Sequence, residues 1–292
     1  MRRLLLLALI WGWSFLFIKI AGEGLSPTTV AWGRIALGAA VLYAVLRSQG
    51  AQIPLDATSL RHYAVVALAG SVVPFSLLAW GEQHITSALT AVLNASTPLF
   101  TATFAAVGLR ERLGRLQVGG LLLGVVGVAV TAGLGASDLE GSSTAGALAA
   151  ILAGAGYGTA FVYIRRHLVS YPPLVAATGQ LATGAVLLFP IAAGTSVAGG
   201  VSLTPTRLAS ILLLGVLGTG AAYALNYRII GDLGATRASL VTYVIPVVAV
   251  AVGIAVLGEP FEPRLVVGGL MTIAGIAAVN HAPRVRPRAG VA

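Results

Sequence analysis

Arg34 lies seven residues past Pro27, inside a run of apolar residues. By helix rise it sits roughly 10 Å in from the end of that run. A guanidinium at such a depth normally faces an interior or a water-filled path. Its chemistry there would be anion binding, because its planar fork of donors grips a carboxylate bidentately. The competing reading is that the long stem snorkels outward to Glu23 or Glu82. Two prolines, Pro98 and Pro246, fall in the middle of other apolar runs. An interior proline lacks an N–H and clashes with the carbonyl four residues back. Those carbonyls belong to Asn94 and Thr242, and both side chains are polar. A kinked helix with a loosened carbonyl beside a polar side chain points to a cavity. The alternative is a packing kink whose Asn and Thr bond across helices.

Aromatic and amide residues extend the candidate set. Tyr223 and Asn226 are three apart, so a helix puts them on one face, and an amide inside an apolar run must look inward. Trp13, Ser14, Tyr157 and Tyr243 also lie deep in their runs, where either packing or solute contact would occupy them. Lys19 is nearer an edge and suits a structural or gate role, and Trp32 and Trp80 suit interface anchoring. Catalysis finds little support. His62, His84, His167 and His281 are dispersed at run edges, and neither HExxH nor a phosphate-binding loop occurs. Ser71 and Ser76 have no evident base, and cysteine is absent. No metal, cofactor or nucleic-acid partner is expected. No carboxylate lies at mid-depth, so a buried proton relay is not visible.

The elements that must hold these residues follow from composition. Hydrophobic residues make up 57% of the 292, charged residues 9%, and mean hydropathy is +0.93. Soluble domains carry about 25% charge, so a soluble globular fold is excluded. Runs of about 20 apolar residues cross the hydrocarbon core as helices. Ten are found: Leu4–Ile20, Thr28–Leu46, Leu60–Trp80, Thr86–Leu109, Leu116–Leu134, Ala145–Tyr163, Leu174–Ala193, Leu208–Tyr227, Ala235–Leu257 and Leu265–Asn280. The first has bulky aromatics and no clear small-residue cleavage site, so it reads as a retained helix rather than a signal peptide. With both termini inside, 13 of the 18 basic residues face the cytoplasm and two, Arg207 and Arg264, face outward. That bias sets the expected orientation.

The chain also resembles itself. An offset of 146 places Gly12 on Gly158, Lys19 on Arg165, Pro27 on Pro173 and Arg34 on Gln180. An offset of 148 places Pro98 on Pro246 and Glu111 on Glu259. Spans 1–5 thus match spans 6–10. Five is odd, so the copies are expected to be inverted about an axis in the membrane plane, an architecture of secondary transporters with a midplane site. Gly120-x-x-x-Gly124 is a close-packing motif that serves internal contacts first, although it would also permit a homodimer.

The run Trp11-Gly12-Trp13-Ser14-Phe15 with Ile18-Lys19, then Ser26-Pro27 and Arg34, resembles the first two helices of EamA-domain proteins of the drug/metabolite transporter superfamily. Asn94-x-x-x-Pro98 with Glu111, and Pro246 with Gly258-Glu259, resemble the ends of that family's two repeats; Arg110 departs from the glycine at 258. The resemblance spans about residues 4–280 and implies an inner-membrane carrier, often an exporter of amino acids, metabolites or drugs. The expectation is therefore an all-α polytopic membrane protein of ten transmembrane helices, built as two inverted five-helix EamA repeats at 1–137 and 144–282, with a basic tail at 283–292. It would carry a small organic solute by alternating access, in contact with membrane lipid. The expected solute contacts are Trp13, Ser14, Arg34, Asn94, Pro98, Tyr157, Tyr223, Asn226, Thr242, Tyr243 and Pro246. They lie in a cavity expected between spans 1, 3, 4, 6, 8 and 9. A polytopic membrane enzyme or sensor is the alternative from another class, and a channel a weaker rival.

Overall fold

The computed structural model describes residues 2–85, 87–109, 113–132, 144–248 and 263–281. Glu111, Asp138, Gly258, Glu259 and the basic tail lie outside the described residues. Every regular element among those described is helical. In hydrocarbon a helix satisfies its own backbone, and these apolar runs have no other outlet. In chain order the helices are α1 (Arg2–Gly12), α2 (Ser14–Gly22), α3 (Pro27–Ser48), α4 (Ala57–Ala67), α5 (Val73–Gly81), α6 (Ser87–Asn94), α7 (Thr97–Gly108) and α8 (Arg115–Ala132). The second half continues with α9 (Thr144–Tyr163), α10 (Pro173–Gly199), α11 (Pro205–Gly215), α12 (Ala222–Leu233), α13 (Ala235–Ser239), α14 (241–248) and α15 (Pro263–His281).

Several join end to end. Among the described residues, seven helical stretches are long and apolar enough to cross a membrane: Arg2–Gly22, Pro27–Ser48, Ala57–Gly81, Leu89–Gly108, Thr144–Leu168, Pro173–Gly199 and Pro205–Leu233. Three shorter apolar helices are Arg115–Val130, Ala235–Val248 and Val267–Val279. The protein is a multi-pass membrane protein. Its outer surface agrees with that, since large apolar side chains such as Leu9, Val186, Phe189 and Leu270 are exposed where lipid would cover them.

Helix starts are chemically marked. Ser26 caps α3 by accepting from the Thr29 amide at 3.2 Å, with Pro27 in the first turn. Asp56 caps α4 from the Thr58 and Ser59 amides at 3.1 and 3.0 Å. Gly234 turns the chain between α12 and α13 at φ +85°, a conformation that a side chain would strain.

Close approach between helices rests on small residues. Helix α8 lies against α15, where a Cβ at Gly120 would stand 2.8 Å from the Gly275 carbonyl. Gly124 faces the Tyr243 ring with no room for a Cβ. The Gly120-x-x-x-Gly124 pair is taken up by packing within the chain. Helix α3 lies between α10 and α11, and Gly38 meets the backbone of Gly215 and Gly220.

Among the described residues three stretches are π-helical: Leu68–Val72 between α4 and α5, Ile164–Leu168 after α9, and Val216–Ala221 between α11 and α12. The first and third begin 148 residues apart, the offset that aligns Pro98 with Pro246. A π turn breaks the i→i−4 register and exposes carbonyls. At the first, Val73 N–H bonds the Leu68 carbonyl, and Pro74 has no N–H to offer Gly70, its partner in an α register. At the third, Ala222 N–H reaches the Leu217 and Thr219 carbonyls and skips Gly218 between them.

The two mid-span prolines differ from the expected matched kinks. At Pro98 the chain leaves the helix over Ala95–Ser96 and restarts at Thr97, and the Asn94 carbonyl accepts from the Thr97 hydroxyl at 2.7 Å. Pro246 instead lies within α14, and the break comes six residues earlier, at Leu240. Hydroxyls explain the displacement. Ser239 donates to the Thr236 carbonyl and Thr242 to the Ser239 carbonyl, both at 2.8 Å, and these bonds compete with the helix ladder around Leu240.

Candidate functional site

The first helix contributes a run of neighbours to a buried cavity. Trp11 ends α1, and Ser14, Phe15 and Ile18 follow on α2. Arg34 reaches the cavity from α3, Phe75 and Leu78 from α5, and Asn94 from the last turn of α6. Tyr157 and Phe161 close it from α9, Tyr223 from α12, and Thr242 and Ile245 from α14. Its free space is about 50 Å³. Small-molecule sites usually offer ~300–1,000 Å³, so the walls stand close together.

Arg34 is the charge in this wall. It is 3% exposed. Its Nε donates to Thr219 Oγ1 at 3.0 Å and its Nη2 to the Gly218 carbonyl at 3.4 Å, both in the third π turn. Its Cζ lies 3.7 Å from the centre of the Phe75 ring, a cation–π contact. The side chain therefore runs inward and does not snorkel. Glu23, one of its two expected surface partners, lies 3.7 Å from Arg207. The other, Glu82, acts on Arg34 electrostatically, and no ion pair joins them among the described residues. Two of the guanidinium's acceptors are neutral oxygens, so its charge is held by dipoles and a ring face.

Two other polar atoms of the lining lack partners among the described residues. Ser14 Oγ and Asn94 Oδ1 are buried, line the cavity and make no hydrogen bond among the described residues. Buried polar atoms are normally paired, so these two are exceptions in the cavity wall. The apolar wall is an aromatic cluster. Phe75 meets Tyr157 at 6.3 Å and Tyr223 at 6.0 Å, and Trp11 meets Tyr223 at 6.3 Å, all edge to face. Trp11 donates its indole N–H to the Gly218 carbonyl at 3.0 Å, and Tyr223 donates its hydroxyl to the Gly70 carbonyl. Carbonyls of the first and third π turns thus hold the Trp11 and Tyr223 rings.

Six of the expected residues meet here: Ser14, Arg34, Asn94, Tyr157, Tyr223 and Thr242. The other five lie off the lining. Trp13 stacks on Phe17 at 6.1 Å. Tyr243 is wholly buried between α8 and α14 and donates to the Leu121 carbonyl at 2.7 Å. Asn226 is buried but lies one turn beyond Tyr223, with Oδ1 unpartnered. Pro98 and Pro246 are buried beside the cavity residues without lining it. Sequence reasoning missed Trp11, Phe15, Ile18, Phe75, Leu78, Phe161 and Ile245, and it placed span 2 outside the cavity apart from Arg34 itself. The signal that would have found Phe75 is its repeat partner, since an offset of 148 pairs it with Tyr223.

Polar contacts also join sequence-distant helices away from the cavity lining. Arg3 pairs with Asp232 at 2.7 Å, and Arg165 donates to the Gly231 carbonyl at 3.0 Å. Thr28 and Thr29 meet Thr195 and Ser196 at 2.7 Å each.

The model of the EamA-like transporter family matches residues 3–133 and again 144–281. The chain belongs to the EamA-like transporter family. Relatives within this drug/metabolite transporter type bear transporter names. The chain is 24% identical over 268 residues to the uncharacterized transporter YoaV of Bacillus subtilis, covering 92% of each. It is 29% identical to an uncharacterized transporter of Archaeoglobus fulgidus, covering 96% of this chain and 99% of that one. It is also 29% identical to a protein of Streptantibioticus cattleyicolor named a probable terminal-alkyne amino-acid exporter, covering 95% and 92%. A solved crystal structure shares the fold, with a TM-score of 0.77 at 20% identity over 94% of both chains. Family and relatives point away from enzymatic function.

Proposed function

We propose that this EamA-like transporter exports small organic solutes bearing a carboxylate, amino acids foremost, by alternating access. The observation that carries the reading is Arg34, a buried guanidinium in the wall of a cavity whose other polar atoms, Ser14 Oγ and Asn94 Oδ1, await a donor. A zwitterion satisfies both, with its carboxylate at Arg34 and its ammonium at the two oxygens. Its apolar part would rest on Phe75, Phe161 and Ile245. The amino-acid exporter named among the relatives supports this choice.

Two inverted five-helix repeats at 1–137 and 144–282 would supply the motion. The double family match and the paired π turns support that arrangement. The arginine bias supports an inner-membrane location with both termini cytoplasmic. The narrow cavity of about 50 Å³ fits a constricted stage of the cycle, and solute entry requires it to widen.

The test is counterflow in proteoliposomes with labelled L-phenylalanine, L-leucine and L-glutamate, each against the α-amide that lacks its α-carboxylate. Uptake driven by trans substrate, and lost for the amides, is the expected result. Flux that trans substrate does not accelerate would mean a channel. Chemical conversion of a solute by the purified protein would mean a membrane enzyme.

A further inference from the structure

Gln180 sits on α10, wholly buried, and does not touch the cavity. All three of its polar contacts are made. Nε2 donates to the Val66 carbonyl at 3.1 Å and to Ser71 Oγ at 2.7 Å. Oε1 accepts from the Tyr227 hydroxyl at 2.7 Å. A backbone carbonyl is acceptor only, so the amide orientation is fixed by Val66. These contacts bracket the first π turn, with Val66 at its entry and Ser71 inside it. Between them lies Gly70, whose carbonyl holds the Tyr223 hydroxyl. Tyr227 and Tyr223 are one turn apart on α12.

We propose that Gln180 is a positioning residue of the cavity: it fixes the π turn at Leu68–Val72 and the facing side of α12, and so sets where the Tyr223 ring stands. A π turn is a strained register that needs outside partners for its carbonyls. Gln180, from a third helix, holds the Val66 carbonyl at the entry and the Ser71 hydroxyl within the turn, while anchoring Tyr227 with its other atom. The residue type follows from the partners. Two acceptors and one phenol donor require an amide, which donates and accepts. An arginine here would leave the Tyr227 hydroxyl without an acceptor and bury a charge. The inference rests on the reading of this cavity as the solute site, but its test needs neither solute nor transport.

The chain has no cysteine, so Ser14→Cys places a single thiol in the cavity wall. The rate of its reaction with methyl methanethiosulfonate in purified protein reports how closely the wall is held. Gln180→Leu on this background should raise the rate about five- to tenfold, the scale of one or two lost hydrogen bonds. Tyr223→Phe, which removes the hydroxyl that Gly70 holds, should raise it comparably. The double variant should add little, because both act through one contact. Ser71→Ala and Tyr227→Phe each remove one bond of Gln180 and should give smaller increases, so the inference remains testable if Gln180→Leu does not fold. Tyr243→Phe is the control, since it loses a buried hydroxyl bond away from the cavity. An unchanged rate in folded Gln180→Leu would overturn the proposal. So would independent multiplication of the two effects, or an equal increase in Tyr243→Phe. If labelling behaves as expected and counterflow fails, the positioning role stands and the transport reading falls.

Discussion

Arg34 Nε and Thr219 Oγ1 meet at 3.0 Å where α3 crosses the third π turn, and both side chains are buried. The equivalent meeting in the other half is Gln180 Nε2 with Ser71 Oγ at 2.7 Å, at the first π turn. In each case a polar residue one third of the way along a helix pins a π turn of the opposite half. One pin carries a charge and borders the cavity. The other is neutral and sealed in protein. A solute carboxylate that engages Arg34 would compete with Thr219 and Gly218 for the same guanidinium, so ligand binding would bear directly on the third π turn and, through it, on α11 and α12.

Arg34 variants should separate charge recognition from structure. Arg34→Lys keeps the charge and loses the fork, and should weaken L-phenylalanine binding severalfold. Arg34→Gln should weaken it by roughly 10- to 100-fold, the cost of a lost charge-assisted pair, while affinity for L-phenylalaninamide changes little. Equal loss for both ligands, measured on purified variants, would reject the carboxylate contact.

Topology is tested with the same absence of native cysteine. Cysteines at Arg2 and Arg286 should resist an impermeant thiol reagent in intact cells, and cysteine at Asp138 should react. Labelling of both termini from outside would reverse the orientation.

The prolines should no longer behave as a matched pair. Pro98→Ala removes the bar to a continuous helix across Ala95–Ser96, which would reorient Asn94, so counterflow should fall several-fold. Pro246→Ala restores an amide to a helix that already runs through this position, and should change transport less while raising the melting temperature slightly. Equal effects would mean that neither break shapes the cavity.

Gly124→Ala puts a methyl into the Tyr243 ring and should cost about 1–3 kcal/mol, the usual penalty for overpacking. The melting temperature should drop at every protein concentration. A drop that vanishes on dilution would instead place Gly124 in a contact between copies.

Asp56 offers a pH signature outside the membrane. Hydrogen bonds from the Ser59 hydroxyl first, then from backbone amides including those of Ser59 and Thr58, hold its carboxyl below the ordinary value. A lowered folded value means that its stabilising effect is complete above the unfolded value of 3.8 and is lost as pH falls through the folded one. Asp56→Asn should therefore reduce the acid sensitivity of thermal unfolding below about pH 4. Identical unfolding profiles of the two proteins would show that the cap does not contribute.

The helices were legible because an apolar run of sufficient length has one stable outcome in lipid. Arg34, Asn94 and Ser14 were legible because polar atoms at depth must face inward. The aromatic wall was not, since Phe75 or Phe161 has the same sequence signature facing lipid or cavity. Helix phase caused other misses. Trp11 and Trp13 are two residues apart, roughly 200° around a helix, so choosing one over the other reverses the face. Tyr243 points about 100° from Thr242 for the same reason. The π turns shift that phase again, and their register depends on cross-helix partners such as Gln180 that local pattern does not announce. Pro74, with Gly70 and Gly218 at equivalent places, was the available hint.

The cavity of about 50 Å³ also bears on what the membrane must keep apart. Space on that scale admits a water or two and no hydrated ion. The positive potential of Arg34 at its wall opposes protons and metal cations most strongly, as fixed cations do in selective pores. A carrier at rest in this form would let the electrochemical gradient stand across the bilayer, with insulation supplied by the same side chain proposed to receive the solute.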